Sequence, residues 1–201
     1  MSSAEWDRRY LADERVRAWA TRPNRFLLAE AADLPPGRAL DLACGMGRNA
    51  IWLAERGWAV TAVDFSDVAI AHARERAAEH GVELELLVAD VVSYDPAVEA
   101  YDLVLVFYLQ LLHDELQPVL SRGAAAVAPA GTFLLVGHDL LNLTEGVGGP
   151  DNPAVLYTPD DVVQALSGLE IERAERVRRD VEGQPRPAID CIVRATRPVR
   201  A

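Results

Sequence analysis

Two carboxylates and two glycines stand at spacings that can hold a ligand: Asp41, Gly45, Gly47 and Asp64. They fall in Ala39 to Ser66, ALDLACGMGRNAIWLAERGWAVTAVDFS. Gly45 and Gly47 carry no Cβ, so the backbone there can turn sharply and lie close to a bound group. The elements that must position them read directly from the pattern. Arg38 to Leu42 is an apolar run with a polar break at its end, as a buried parallel strand requires. Arg48 to Arg56 has helical character, with Ile51, Trp52 and Ala54 as candidates for burial, and Gly57 stops it. Ala59 to Val63 is the second strand, with Asp64 at its carboxyl end. In an open parallel sheet ligands bind outside that edge, so both carboxylates belong to a binding edge.

Two ligand classes fit. Gly45-x-Gly47-x-x-Ala50 matches the dinucleotide fingerprint, in which Asp64 would take a ribose hydroxyl. The alternative is S-adenosylmethionine. Asp41 favours the second. A carboxylate beside the turn repels a pyrophosphate but attracts a ligand bearing an ammonium and a sulfonium. Asp64 can chelate the ribose diol in either case. A packed strand–turn–helix without a ligand leaves two carboxylates aimed at one edge to no purpose.

The stretch resembles motif I and the acidic motif II of class I S-adenosylmethionine-dependent methyltransferases. The pattern acid-x-Gly-x-Gly-x-Gly is met as Asp41-x-Ala43-x-Gly45-x-Gly47, with alanine at the first glycine, a change expected only to tighten the turn. GRNAIWLAERGWAVTAVDFS, with the opening WDRRY and RPN, is similar to the branch of tellurite-resistance and thiopurine-type methyltransferases. The resemblance implies an α/β fold with a Rossmann-like, mostly parallel seven-stranded sheet in the order 3-2-1-4-5-7-6, its last strand antiparallel and helices on both faces. It implies one methyltransferase domain over residues 1–201, with 1–36 as an N-terminal helical lid segment. It also implies S-adenosylmethionine as cofactor, S-adenosylhomocysteine as product and a small-molecule substrate; the sequence shows no metal-ligand cluster, so no metal is expected.

The chain of 201 residues is long enough for one domain with a good-sized core. Half its residues are hydrophobic, in the range of a globular α/β protein. No apolar run reaches the length of a membrane span, and MSSAEWDRRY is no signal peptide, so a cytoplasmic location is expected. A net charge of −11 argues against nucleic-acid and anionic-membrane partners. Cys44 and Cys191 lie far apart without metal spacing and read as buried packing residues. The oligomeric state, monomer or homodimer, stays open.

Before the first strand, Ser2-x-x-Glu5 is a candidate capping box. Trp6, Tyr10 and Val16 recur at helical spacing, with Trp19 close to the same stripe. They either pack the helix onto the domain or, as the resemblance implies, let Trp6 and Tyr10 roof the cofactor. Arg22-Pro23-Asn24 breaks the chain, and a short helix over Arg25 to Ala32 follows. Beyond Asp64, Ser66 is a good N-cap for a helix running to His80. Glu83 to Ala89 is the third strand, ending at Asp90. The resemblance implies that Asp90 accepts a hydrogen bond from the adenine amino group and that the Val91 amide meets the ring; otherwise Asp90 is a turn cap. Phe65 can lie against the adenine face, and Asn49 sits among the cofactor neighbours in the glycine turn.

Tyr101 to Tyr108 is the fourth strand, placed at the topological switch. Phe107 is a candidate cofactor contact there, and Tyr108 and Gln110 candidate walls for the acceptor. A helix over His113 to Ala128, closed by Pro129-Ala130-Gly131, and a strand over Thr132 to Gly137 lead to His138-Asp139. Leu140 to Tyr157 is a long glycine-containing connection, read as a substrate-side flap. Thr158-Pro159-Asp160-Asp161 opens a helix. Leu169 to Val181 and Ala188 to Ala195 form a closing antiparallel hairpin.

Methyl transfer asks the protein mainly to hold a nucleophile in line with an already activated methyl. A base is needed only where the nucleophile arrives protonated. His138 is the local candidate for it, against a purely structural histidine. In tellurite-resistance relatives a basic pair and a turn arginine face the substrate. Arg179 and Arg186 fit that pattern, and Arg178 replaces what is often a histidine. Arginine clamps oxyanions well, although hairpin arginines are commonly just solvated. With no evident acid–base dyad, a soft nucleophile leads: a thiol, or a selenium or tellurium oxyanion. An O- or N-nucleophile on a small metabolite is its rival. An NAD-dependent oxidoreductase and a non-catalytic cofactor-binding protein are the rivals from other classes.

Overall fold

Apolar strands alternating with helical segments force a layered α/β arrangement, because each strand must be covered on both faces. The structure, a computed structural model, describes residues 2–12 and 21–199. Val16 and Trp19 of the N-terminal stripe lie outside the described residues. Seven strands form one sheet in the order β3-β2-β1-β4-β5-β7-β6, as the resemblance implied. The chain divides into two compact units, Met1–Asp95 and Pro96–Ala201.

The first unit holds α1 (Ser3–Ala12), α2 (Arg25–Ala31), β1 (Arg38–Leu42), α3 (Arg48–Ala54), β2 (Ala59–Asp64), α4 (Asp67–Glu79) and β3 (Glu85–Val88). β1 runs parallel to β2 with Asp41 opposite Ala62, and β2 parallel to β3 with Asp64 opposite Val88. Both inner strands are buried beyond their first residue. Ser66 caps α4 by accepting from the Ala69 amide at 3.0 Å. Asn24 caps α2 in the same way through the Phe26 amide at 2.9 Å. At the chain start only half of the expected capping box forms: the Glu5 carboxylate accepts from the Ser2 amide at 2.7 Å. β3 is shorter than its sequence pattern, because it is an edge strand that pairs on one side only and has no neighbour to extend it.

The second unit holds β4 (Tyr101–Phe107), α5 (His113–Ala126), β5 (Val127–His138), α6 (Asn142–Glu145), a 3₁₀ turn over Pro153–Val155, α7 (Pro159–Val163), β6 (Glu170–Arg179) and β7 (Ala188–Thr196). β4 and β5 are parallel, while β7 runs antiparallel to both β5 and β6. β5 begins well before Thr132, so Pro129-Ala130-Gly131 is an irregularity inside a strand and not the helix end that was expected. Ala130 takes a positive φ of 63°, and a Cβ on Gly131 would lie 2.8 Å from the Ala128 carbonyl. The flap is ordered by Asn142, which donates to the Gly148 carbonyl at 2.7 Å and accepts from the Ile189 amide at 2.7 Å. Thr158 and Asp161 form the reciprocal capping box of α7.

One expectation about the glycine turn fails. Alanine at the first motif glycine does not merely tighten the turn, because Ala43 sits in the left-handed region at φ +61°. That conformation drives Cβ toward the following carbonyl and is one that glycine adopts freely. Ala43→Gly should therefore raise unfolding free energy by about 0.5–1 kcal/mol, the relief of left-handed strain exceeding the added flexibility of the unfolded chain. Urea denaturation measures it; a loss of stability would mean the turn is not strained.

Candidate functional site

The glycine turn of the first unit is tied to the end of β2 by one carboxylate. Asp64 Oδ2 accepts from the Gly45 amide at 2.9 Å and Oδ1 from the Ser66 amide at 3.0 Å. A carboxylate offers about four acceptor positions, so others are left for a diol. Burial pushes the Asp64 carboxyl up, and the Ser66 and Gly45 amides only partly offset it.

Asp41 lies deeper, 1% exposed. Burial raises its carboxyl to about 7, with Arg48 opposing and the charge of Asp64 adding to the rise, while the Ala50 amide bonds it. Its Oδ2 is buried without a hydrogen-bond partner. A buried acceptor left unsatisfied costs about 1–3 kcal/mol, so such an atom calls for a ligand that donates to it. The backbone beside it leaves room. Gly45 and Gly47 both have positive φ, and a Cβ at Gly47 would come within 3.0 Å of the Ala73 Cβ.

α1 lies over this turn. Tyr10 is buried against Met46 and Ala69, and a Cβ on Gly45 would meet its hydroxyl at 3.0 Å. Trp6 packs on Tyr10 with ring centroids 5.6 Å apart. The Ser66 hydroxyl donates to Asp7 Oδ1 while accepting from Ala69, so one side chain both caps α4 and latches α1. Burial, and then the nearby Asp64 charge, hold the Tyr10 phenol well above its ordinary value and thus neutral. Trp6 and Tyr10 are thus brought to the turn with Asp41, Ala43, Gly45, Gly47 and Asp64.

Other predicted contacts have visible structural duties. Asn49 is buried, and its side-chain oxygen accepts from the Asn24 amide at 2.9 Å, fixing the Arg22-Pro23-Asn24 break. Asp90 is exposed and caps a turn through the Val92 amide at 2.9 Å. Val91 is buried and Phe65 half-buried.

The second unit collects a different set. Phe107 is buried at the end of β4, and Tyr108 follows it at φ +55°. Asp190, fully buried on β7, gathers three side chains. Arg179 Nε donates to its Oδ2 at 2.6 Å, the Tyr108 hydroxyl donates to the same oxygen at 3.1 Å, and His138 Nδ1 stands 3.3 Å from Oδ1. At that distance His138 Nδ1 makes no hydrogen bond to the carboxylate. Burial by itself would raise the Asp190 carboxyl; His138 and Arg179 outweigh it and hold the group below the ordinary carboxylate range. Arg179 is therefore turned into Asp190 and not held out toward solvent. Arg186 is exposed and reaches the Thr144 carbonyl at 3.4 Å. Sequence reasoning passed over Asp190. Its signal was a charged residue inside the apolar run AIDCIV, a position where such a group persists only when paired.

Both cysteines are free and buried, and burial raises each thiol. Among the described residues no group of three or more His, Cys, Asp and Glu side chains could hold a metal ion. Nor is any of their helices long and apolar enough to cross a membrane.

A family model described as a methyltransferase domain matches residues 39–131. A solved S-adenosylmethionine-dependent methyltransferase from Methanosarcina mazei superposes with a TM-score of 0.69 at 15% identity, over 89% of this chain and all of that one. The fold is that of the S-adenosylmethionine-dependent methyltransferases. A second structure, described as "Conversion of a Disulfide Bond into a Thioacetal Group during Echinomycin Biosynthesis", reaches a TM-score of 0.77 at 23% identity, covering 99% of this chain and 93% of that one. Among curated proteins, a trans-aconitate 2-methyltransferase of Rhizobium meliloti is 32% identical over 124 residues, 61% of this chain and 46% of its own length. The chain spans between 30% and 51% of the length of the curated relatives it matches.

For this methyltransferase fold the buried Asp41 has a stability consequence. Its folded value, about 7, lies above the ordinary 3.8, so its contribution is fully present below pH 4 and is lost as pH rises through 7. Asp41→Asn keeps the acceptor for Ala50 and removes the titration. The variant should be more stable than the parent at pH 8, with the difference vanishing near pH 4. Urea midpoints across that range measure it; a constant difference would place the Asp41 carboxyl in the ordinary range.

Proposed function

We propose that the chain is an S-adenosylmethionine-dependent methyltransferase of a small molecule, its acceptor a soft nucleophile with a thiol first among the candidates. The observation that carries the reading is Asp41 Oδ2, a buried carboxylate oxygen with no donor beside a glycine turn of positive φ. An ammonium-bearing ligand satisfies it, whereas a pyrophosphate would be repelled. Asp64 takes the ribose diol; Asp90 and the Val91 amide meet the adenine, with Phe65 on its face. Ala43, Gly45, Gly47 and Asn49 form the turn, Phe107 adds a wall, and Trp6 and Tyr10 form the lid. When bound, S-adenosylmethionine supplies an activated methyl on a sulfonium. His138, Tyr108, Arg179 and Arg186 belong to the acceptor side, with Arg179 acting through Asp190.

The branch reading rests on WDRRY, RPN and the glycine-turn segment, which are similar to tellurite-resistance and thiopurine-type enzymes. Sulfur as acceptor gains support from the structural neighbour described by its disulfide-to-thioacetal conversion. The whole chain acts as one domain in the cytoplasm on a small metabolite, without a metal, nucleic acid or membrane, as monomer or homodimer. A second reading, transfer to oxygen or nitrogen, is favoured by the pairing of His138 with Asp190, which furnishes a base.

Equilibrium dialysis against S-adenosylhomocysteine and NADH tests the cofactor: binding of the first is expected, and binding of NADH alone would reverse the reading. Asp64→Ala should weaken S-adenosylhomocysteine binding by about 1–3 kcal/mol through lost charge-assisted hydrogen bonds. Calorimetry that finds an unchanged affinity would remove the ribose assignment.

A further inference from the structure

The face of β6 opposite Val177 and Arg179 carries a different feature, wholly within the second unit. Arg176 and Arg178 alternate onto that face, with Arg176 opposite Cys191 of β7. Asp139 is fully buried behind Arg176. Its Oδ1 accepts from Arg176 Nε at 2.7 Å and from the Leu141 amide at 2.8 Å. One atom therefore fixes both a cation and the start of the segment beside it. Leu140, Leu141, Leu143, Thr144 and Arg176 line a hollow of about 320 Å³, open to solvent on one side. Leu140 and Leu143 remain 42% and 38% exposed there. Their backbone is held by the buried Asn142 between them, through its bonds to Gly148 and Ile189. Apolar walls with one placed charge are the ordinary make-up of a small-molecule site, and the volume falls at the low end of the usual range of about 300–1,000 Å³.

Arg176 is not spent as Arg179 is. Arg179 turns both Nε and Nη2 into Asp190, whereas Arg176 gives Asp139 only Nε and keeps its side chain 48% exposed. Its two Nη groups are left as a planar fork, the geometry that matches a carboxylate. The hydrogen bond to Asp139, and then the Asp139 charge, raise the Arg176 guanidinium further above neutrality, so this cation is permanent. Two more arginines border the same segment. Arg178 Nη2 stands 3.6 Å from Glu145, and Arg186 Nη1 donates to the Thr144 carbonyl at 3.4 Å. Asp139 and Glu145 offset two of these three charges, and Asp160 is the weakest of the influences on Arg176. A surplus of no more than one positive charge suits a monoanion and not a phosphate dianion. We propose that this hollow binds a small amphipathic carboxylate, its head on the Nη groups of Arg176 and its apolar body on Leu140, Leu141 and Leu143. The site goes beyond the methyltransferase reading and does not require the cofactor.

Calorimetric titration of the full chain with octanoate, in the absence of cofactor, tests the site. Octanoate should bind. Acetate keeps the head without the body, and octylammonium keeps the body with the charge inverted; each should bind at least about tenfold more weakly. Arg176→Met retains an apolar stem and should lower octanoate affinity on the order of tenfold. That change leaves Asp139 buried without its cation, so a second variant spares the fold. Leu143→Asp sets a carboxylate in the hollow from an exposed position. It should lower octanoate affinity at least as far and improve that of octylammonium. No octanoate binding, equal binding of octylammonium, or an octanoate affinity that Leu143→Asp leaves unchanged overturns the proposal. Tighter binding of octyl phosphate than of octanoate overturns the assignment to a monoanion. S-Adenosylhomocysteine binding, measured separately, reports on the methyltransferase reading, and its failure would leave the octanoate result standing.

Discussion

Burying two carboxylates under one glycine turn is the constraint on which the first unit depends. Asp64 solves its share internally. Its two oxygens receive the Gly45 and Ser66 amides, so the charge that raises its carboxyl also holds the turn against β2. Asp41 has no such completion, since the Ala50 amide serves one oxygen and the other has no partner. The strain at Ala43 and the positive φ at Gly45 and Gly47 surround this incomplete charge. Natural chains retain unsatisfied buried groups chiefly where function needs them. A cationic ligand converts the unfavourable burial of Asp41 into a favourable charge-assisted contact.

The second unit treats a buried carboxylate in the opposite way. Asp190 is surrounded by Arg179, Tyr108 and His138, and its carboxyl is held low despite full burial. The two cases differ in the donors present, not in depth. Where donors are supplied by the chain, the carboxylate gathers other side chains around it; where one is withheld, an acceptor oxygen is left open. That contrast in donors is what supports the binding role proposed for Asp41.

The strand and helix pattern was legible because local signals agreed with the final fold. Ser66 and Thr158 cap the helices their spacing suggested, and Asp41, Gly45, Gly47 and Asp64 meet at one turn. Three things were not legible. The left-handed backbone at Ala43 carries no sequence mark, because alanine there looks like a mild replacement for glycine. β5 carries Pro129-Ala130-Gly131 as a register shift between its pairs Val127–Tyr101 and Thr132–Leu103, tied instead to Arg197 beyond β7 by the Ala130 amide and the Gly131 carbonyl. Arg179 looked like a free hairpin charge because its partner Asp190 lies on the neighbouring strand, opposite Val177, and side-chain reach across a ladder does not appear in linear spacing.

The central claim is that Asp41 is a buried carboxylate whose missing partner is the cationic end of the cofactor. Carbon NMR of the labelled aspartate carboxyls, titrated in the free protein and with S-adenosylhomocysteine bound, reads this directly. The account expects an Asp41 midpoint near 7 in the free protein, falling by at least about one unit when the ligand ammonium is present. A midpoint already in the ordinary carboxylate range, or one that the ligand leaves unmoved or raises, would contradict it.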